Sequence, residues 1–189
     1  MVMPDAVRVW TREEVLALPD DGKRYELIDG ALLVSPAPSW LHQYAVMRLY
    51  DRVHPYVTAQ RIGTTVLSPA DLDLKSDQLV QPDLFVTPLR ADGRQQMEWS
   101  EAEIPILVAE VTSPSTARYD RITKRQRFQR SEVAEYWIVD PDARVIERWT
   151  PHDTRPEILD ERITWNTVGA ADSLTFDIPL YFREVWGER

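Results

Sequence analysis

Residues Ile104 to Val111 form a near-continuous apolar run broken only by Glu110, the pattern of a strand covered on both faces. Shorter patterns lie to either side. Trp10-Thr11-Arg12-Glu13-Glu14-Val15 predicts a short helix ending near Pro19: Thr11 can cap, Glu14 can complete a capping box, and Trp10 can staple onto Val15. Two β-prone runs, Lys23 to Ile28 and Ala31 to Val34, flank Asp29-Gly30, which signals a hairpin. After turn-rich Ser35-Pro36-Ala37-Pro38, Ser39 can cap a long helix whose buried stripe is Leu41, Ala45, Leu49 and Val53, with Val46 and Met47 less regular; Pro55 is expected to end it.

A strand is predicted around Ile62 to Leu67. The polar stretch Asp71 to Asp77 leads to a second strand pattern, Val80 to Val86, with Asp83 inside it. Residues 88 to 103 read as polar and turn-like. Beyond the apolar run, Ser113-Pro114-Ser115-Thr116 makes a turn and Ala117 to Ser131 reads as a basic helix. Glu135 to Val139 and Val145 to Trp149 form a hairpin pattern across Asp140-Pro141-Asp142-Ala143. Ile158 to Trp165 and Leu174 to Trp186 suggest one or two further strands and a short closing helix. This order predicts an α/β fold of the α+β mixed kind, with a central mixed β-sheet flanked by helices and an N-terminal β-hairpin.

A length of 189 residues suits one domain, 1–189, with a proper core. With 43% hydrophobic and 28% charged residues the chain is far from the profile of disorder. The absence of cysteine excludes a disulfide frame, a thiolate metal site and a cysteine nucleophile. The start MVMPDAVRVW has no basic region followed by an apolar one, and no apolar run is long enough to span a bilayer, so a cytoplasmic protein with no membrane partner is expected. A net charge of −9 counts against a protein that coats nucleic acid. One local exception is the segment holding Arg118, Arg121, Lys124, Arg125, Arg127 and Arg130 with Asp120 as its only acid, which can be a solvated helix face or a phosphate-contacting one.

Strand parity puts Ile106, Val108, Glu110 and Thr112 on one face and Leu107, Ala109 and Val111 on the other. Glu110 therefore lies in apolar company, where a carboxylate must be paired, protonated or bound to a cation. A salt bridge to an arginine of the following helix and a metal site both satisfy this. Asp83 adds a second acid in a strand-like run, and two such runs can bring their carboxylates together. Two hard oxygen ligands suit magnesium, which keeps several waters.

With these residues in view, Pro82-Asp83, Glu110-Val111-Thr112 and Lys124 resemble the PD-(D/E)XK nuclease superfamily. One departure is Thr112, which stands where lysine is usual; in several branches of that superfamily the lysine has migrated to a neighbouring helix. A closer resemblance is to a restriction-endonuclease-like family of the Uma-two type, formerly a bacterial domain of unknown function. It is carried by Arg24 to Gly30, Ser35 to Pro38, His42, Gln81-Pro82-Asp83, Glu110 to Thr116, Asp120 to Lys124 and Glu135 to Pro141, and covers nearly the whole chain.

The resemblance implies a restriction-endonuclease-like core and a Mg2+-dependent endonuclease acting on DNA, with Mn2+ as a plausible substitute. Asp83 and Glu110 would be metal ligands, the Val111 backbone carbonyl would complete the inner shell, and Lys124 would be the catalytic lysine. Glu26 could bind a second metal or orient a water; it could equally be a hairpin acid on the solvent face. His42 could touch phosphate or water, or pack as a hydrogen-bonded residue. Arg121, Arg125 and Arg127 are candidate phosphate contacts within the basic segment. Ser113 and Ser115 read as turn residues, Asp120 as a helix-start acid, and Tyr136 and Trp137 as packing aromatics. Asp120, Lys124 and Phe128 share a helix face at i, i+4 spacing, and Lys124→Ala is expected to remove turnover with the fold largely intact.

A catalytically silent interaction protein that keeps a nuclease fold, and a phosphodiesterase acting on RNA or small nucleotides, are the alternatives. A homodimer is expected, with the exposed-looking aromatic end Tyr181 to Trp186 offered as part of its interface.

Overall fold

The computed structural model describes residues 8–72, 74, 78–96 and 103–188. Parts of the two polar stretches, at 73, 75–77 and 97–102, lie outside the described residues. The N-terminal elements follow local chemistry closely. Helix α1 (Arg12–Leu16) carries the capping box: the Thr11 hydroxyl accepts the Glu14 N–H at 3.3 Å, and the Glu14 carboxylate accepts the Thr11 N–H at 2.9 Å. Strands β1 (Arg24–Ile28) and β2 (Ala31–Ser35) pair antiparallel across Asp29-Gly30, both left-handed at φ 50° and 78°, as a two-residue hairpin turn requires. A side chain at Gly30 would also collide with Val9 Cγ1, 2.7 Å from its Cβ position.

Helix α2 (Trp40–Gln60) starts on Ser39, whose hydroxyl accepts the His42 N–H at 3.2 Å. It does not stop at Pro55 as the sequence reading expects. The Pro55 ring faces solvent, while Val53 and Val57 on either side are buried in the core, so their packing outweighs a loss of about 3 kcal/mol for one missing hydrogen bond and ring strain. The helix ends at Arg61, left-handed at φ 55°.

The central sheet has six strands in the order β3-β4-β5-β6-β7-β8: β3 (Gly63–Leu67), β4 (Leu84–Pro88), β5 (Leu107–Val111), β6 (Tyr136–Asp140), β7 (Val145–Trp149) and β8 (Glu157–Leu159). All neighbours are antiparallel except β5 and β6, which run parallel. A parallel pair needs a crossover, and here it consists of α3 (Ala117–Tyr119), a π-helical turn (Asp120–Lys124) and α4 (Arg125–Arg130). Strands β9 (Arg162–Trp165) and β10 (Leu174–Asp177) form a separate hairpin leading into α5 (Ile178–Trp186).

The two faces of β5 separate as strand parity predicts. Leu107, Ala109 and Val111 join Leu84, Trp137 and the α2 and α5 side chains in one core, whereas Val108 packs with Phe85, Phe128 and Ile138 in another. Glu110 shares the Val108 face and therefore looks toward the crossover helices.

The closing helix differs from its expected role. Tyr181 and Phe182 are fully buried against the protomer's own core, with the Tyr181 hydroxyl donating to the Ala45 carbonyl at 2.9 Å; Trp186 is the partly exposed member of the set and donates its indole N–H to the Pro141 carbonyl. This end is committed to packing within the chain, which removes the support it lent to a dimer interface. Among the described residues no helix is long and apolar enough to cross a membrane.

Candidate functional site

Sheet topology alone brings Asp83 to Glu110. Because β4 and β5 run antiparallel with Leu84 opposite Ala109, the residue entering β4 lies beside the residues leaving β5. Asp83 is that residue; it sits just before the strand instead of inside it, because the backbone bends there. Its carboxylate is held on both oxygens: Oδ2 accepts the Val111 N–H at 2.9 Å, and Oδ1 accepts from the Arg24 guanidinium at 3.0 Å. His42 Nε2 lies 3.2 Å from the same Oδ1, near enough to favour the ionised carboxylate but off-axis for a directed hydrogen bond. Burial works to raise the Asp83 pKa, yet His42, Arg24 and Lys124 together outweigh it and hold this carboxyl far below the usual range.

Lys124 comes from the crossover. The i, i+4 face survives the π-helical turn, and Asp120, Lys124 and Phe128 are all buried. In that turn the Arg125 N–H bonds back to the Asp120 carbonyl, which also accepts the Tyr136 hydroxyl at 3.2 Å. Phe128 stacks obliquely on Tyr136 with ring centroids 4.8 Å apart, fixing the helix over the sheet. The ammonium then reaches 2.8 Å from Glu110 Oε1, 3.0 Å from Glu26 Oε1 and 3.8 Å from Asp120 Oδ1. Burial alone would lower its pKa, but Glu110, Glu26 and Asp120 raise it well above the ordinary lysine value, so it is a fixed positive charge.

Glu26 is not a solvent-face acid. Strand parity in β1 places Arg24 and Glu26 on one face, and a backbone bridge between Leu27 and Leu79 pins the hairpin to the body of the protein. Glu26 Oε1 accepts the Gln81 N–H at 2.9 Å, while its buried Oε2 has no hydrogen-bond partner. The buried acids Glu26, Asp83, Glu110 and Asp120 thus surround Lys124 and Arg24, with acids in excess. Burial pushes Asp120 up to about 6, and burial with Asp83, Asp120 and Glu26 nearby pushes Glu110 well above the carboxylate range despite Lys124. The cluster is short of positive charge, a deficit that a proton or a cation would fill.

A cavity of about 240 Å³ opens onto this cluster. It is lined by Asp83, Glu110, Val111 and Asp120, by Arg24 and His42, and by the segments Ser35 to Ser39 and Ser113 to Thr116; Lys124 and Glu26 are not among its lining residues. The Ser113 hydroxyl lies 3.0 Å from that of Ser115 and 3.1 Å from that of Thr116, which ties this loop together. Among the described residues no three His, Asp or Glu side chains are gathered as a ready metal cage. Asp83, Glu110 and part of Val111 line the cavity together, and two carboxylates in a space that also admits water are the kind of donor set magnesium takes, since it binds through one or two carboxylates and keeps its waters. Thr112, at the position usual for the superfamily lysine, is buried with its hydroxyl 3.4 Å from the Val139 carbonyl.

Arg121, Arg125 and Arg127 do not line this cavity. Arg121 is paired with Asp140 and Glu147, both at 2.6 Å. Arg125 bonds Gln129 and lies over the Trp149 ring, and Arg127 reaches the Leu74 carbonyl and lies 3.9 Å from Asp29. The arginine that does face the cavity is Arg24, which the sequence reading passed over although its i, i+2 relation to Glu26 was visible.

The sequence profile of the Uma2 family, described as "Putative restriction endonuclease", matches residues 12–171. Among curated proteins none matches the sequence. Among solved structures, a crystal structure of a "putative nuclease" from Anabaena variabilis superposes with a TM-score of 0.74 at 20% identity, over 93% of this chain and 99% of that one.

Proposed function

The chain belongs to the Uma2 restriction-endonuclease family, and from that premise we propose that it is a metal-dependent endonuclease that hydrolyses phosphodiester bonds in DNA at the Asp83–Glu110–Lys124 cluster. The observation that carries this reading is the buried ammonium of Lys124, 2.8 Å from Glu110, a carboxylate that lines an open cavity together with Asp83. Such a charge is costly to bury for structure alone, because hydrophobic replacements of buried ion pairs are often as stable.

Asp83, Glu110 and the Val111 carbonyl would hold Mg2+ or Mn2+. When bound, the ion supplies Lewis-acid polarisation of the phosphate and a more acidic water. The protein's own groups do the rest. In hydrolysis a water oxygen forms the new bond to phosphorus, the bond to the leaving sugar oxygen breaks, and the proton lost by the water must be taken up nearby. Asp120, which lines the cavity outside the pair of ligands, is placed to accept it. Lys124 stays charged and opposes the negative charge that builds on the phosphate oxygens, an effect of about 10²–10³-fold in rate for one preorganised donor. Arg24 and His42 keep Asp83 ionised and face the cavity, where either can contact a phosphate oxygen. Glu26 holds the same ammonium alongside Glu110.

The test uses supercoiled plasmid, linear duplex, single strands and RNA with Mg2+, Mn2+ or chelator. Cleavage should need the metal, and Asp83→Asn with Glu110→Gln should abolish both cleavage and calorimetrically detected Mn2+ binding. Equal Mn2+ binding by that double variant would refute the assignment of the ligands.

A further inference from the structure

The two oxygens of Asp83 are held by different kinds of partner. Oδ2 accepts the Val111 N–H at 2.9 Å, a main-chain donor fixed by its place in β5. Oδ1 accepts from a side chain, the Arg24 guanidinium, through Nη2 at 3.0 Å. The same Nη2 donates to the Ser68 hydroxyl, also at 3.0 Å, whereas Nη1 has no hydrogen-bond partner among the described residues. Arg24 lines the cavity together with Asp83 and Glu110, and its side chain is 17% exposed.

A divalent cation that binds Asp83 has to come to terms with this guanidinium. At the ~2.1 Å of a magnesium–oxygen bond, a cation on Oδ1 would stand no more than about 5 Å from Nη2, because Nη2 itself lies 3.0 Å from that oxygen. Like charges that close, largely out of water, repel strongly. His42 Nε2 is also near, 3.2 Å from Oδ1, but an imidazole can answer an arriving cation by giving up a proton. A guanidinium stays charged at every working pH. The Val111 N–H belongs to the sheet backbone, so the arginine is the partner that can move.

We propose that Arg24 and a divalent cation are alternative partners of Asp83 Oδ1, and that the guanidinium displaced by the cation takes up a phosphate oxygen of the substrate in the same cavity. This rests on the metal-dependent phosphodiesterase reading of the site. Freed from Oδ1, Nη2 forms with the unpaired Nη1 the planar fork that suits two oxygens of a phosphate, while its second hydrogen stays on Ser68. Metal and substrate then bind cooperatively. The cation releases the arginine, and a phosphate that holds the arginine away clears Oδ1 for the cation, so each raises the affinity for the other by the same factor. The contact is to the phosphodiester and reads no base.

The experiment is calorimetric titration of Mn2+ into the full chain at pH 8, which keeps protons from competing, with and without dimethyl phosphate, the smallest phosphodiester. It compares the wild type with Arg24→Ala and Arg24→Gln. Without phosphate, both variants should bind Mn2+ about tenfold more tightly than the wild type, the opposite of what losing a merely structural arginine would do. Dimethyl phosphate should tighten Mn2+ binding in the wild type and do so less in the variants. Arg24→Gln can still hydrogen-bond Ser68 and Asp83 without a charge, so it carries the test if Arg24→Ala does not fold. Mn2+ affinity in a folded variant equal to or below that of the wild type overturns the exchange and leaves the metal site standing, as does an equal effect of dimethyl phosphate in all three proteins. Absence of Mn2+ binding in the wild type and in both variants sinks the metal-dependent reading itself, and the exchange with it.

Discussion

Replacing Lys124 with methionine keeps much of the side-chain volume and removes the ammonium that touches Glu110 and Glu26. Both carboxylates are buried, as is Asp120 at 3.8 Å, so the variant leaves acids together with no solvent to screen them. Breaking a buried ion pair from one side costs about 3–5 kcal/mol. At roughly 2–4 °C per kcal/mol for a chain of this size, melting should fall by about 6–20 °C. The loss should depend on pH. Burial pushes Asp120 up to about 6 in the folded protein and raises Glu110 as well, against roughly 4 for unfolded carboxyls, and losing the ammonium lifts both. A raised folded pKa means that the native state holds protons the unfolded state has released. Stability is therefore fully present below about pH 4 and declines as pH rises through the folded values, by up to about 1.4 kcal/mol per unit and group. Urea unfolding in chelator should show a small deficit at pH 5 and a large one at pH 8. Adding Glu110→Gln to Lys124→Met should recover part of the pH 8 loss, by about 1–3 kcal/mol of coupling. A deficit under about 1 kcal/mol at pH 8, or one that does not change with pH, would refute this reasoning. The same burial predicts a stability cost for Lys124→Ala too, against the sequence-based expectation that this variant leaves the fold largely intact.

Arg24→Ala should let burial act on Asp83 unopposed by the guanidinium and raise its pKa; the acid limb of the pH–rate profile should then move to higher pH, and an unmoved limb would count against the Arg24–Asp83 pairing. Tyr181→Phe removes the hydrogen bond that the Ala45 carbonyl accepts besides its helical one and should cost about 0.5–1.5 kcal/mol in thermal unfolding, with cleavage unaffected. Gly63→Ala places a methyl 2.3 Å from the Thr87 carbonyl at the β3–β4 pair and should destabilise by about 1–3 kcal/mol, readable as a lower urea midpoint.

How far the sequence specified the fold depended on how local the cause was. The Asp29-Gly30 turn and the Thr11–Glu14 capping box lie within a few residues, and both formed as their chemistry requires. The two-sided burial of β5 was legible because a short, near-continuous apolar run is typical of a strand covered on both faces. The run of α2 through Pro55 and the burial of Tyr181 and Phe182 in the closing helix escape a local reading for the opposite reason. A helix continues through Pro55 because Val53 and Val57 bury against the distant sheet, and Tyr181 is hidden by α2, more than a hundred residues earlier in the chain.

The site divides along the same line. Lys124 could be found because its inward direction follows from Phe128 one turn away, and parity along β5 aimed Glu110 at the helix that carries it. The arginines nearby looked equally suited to phosphate, since a sequence reports the sign of a charge but not its partner. Asp140 and Glu147 for Arg121, and Asp29 for Arg130, come from a later hairpin and from the first one. Arg24 was overlooked for the mirror reason: in β1 it reads as an ordinary strand-edge cation, and only the backbone bridge between Leu27 and Leu79 swings its strand over Asp83. A basic segment was thus read as the nucleic-acid face when internal pairing uses up much of its charge. Arg24, which does line the cavity, is held there by Asp83 from another element.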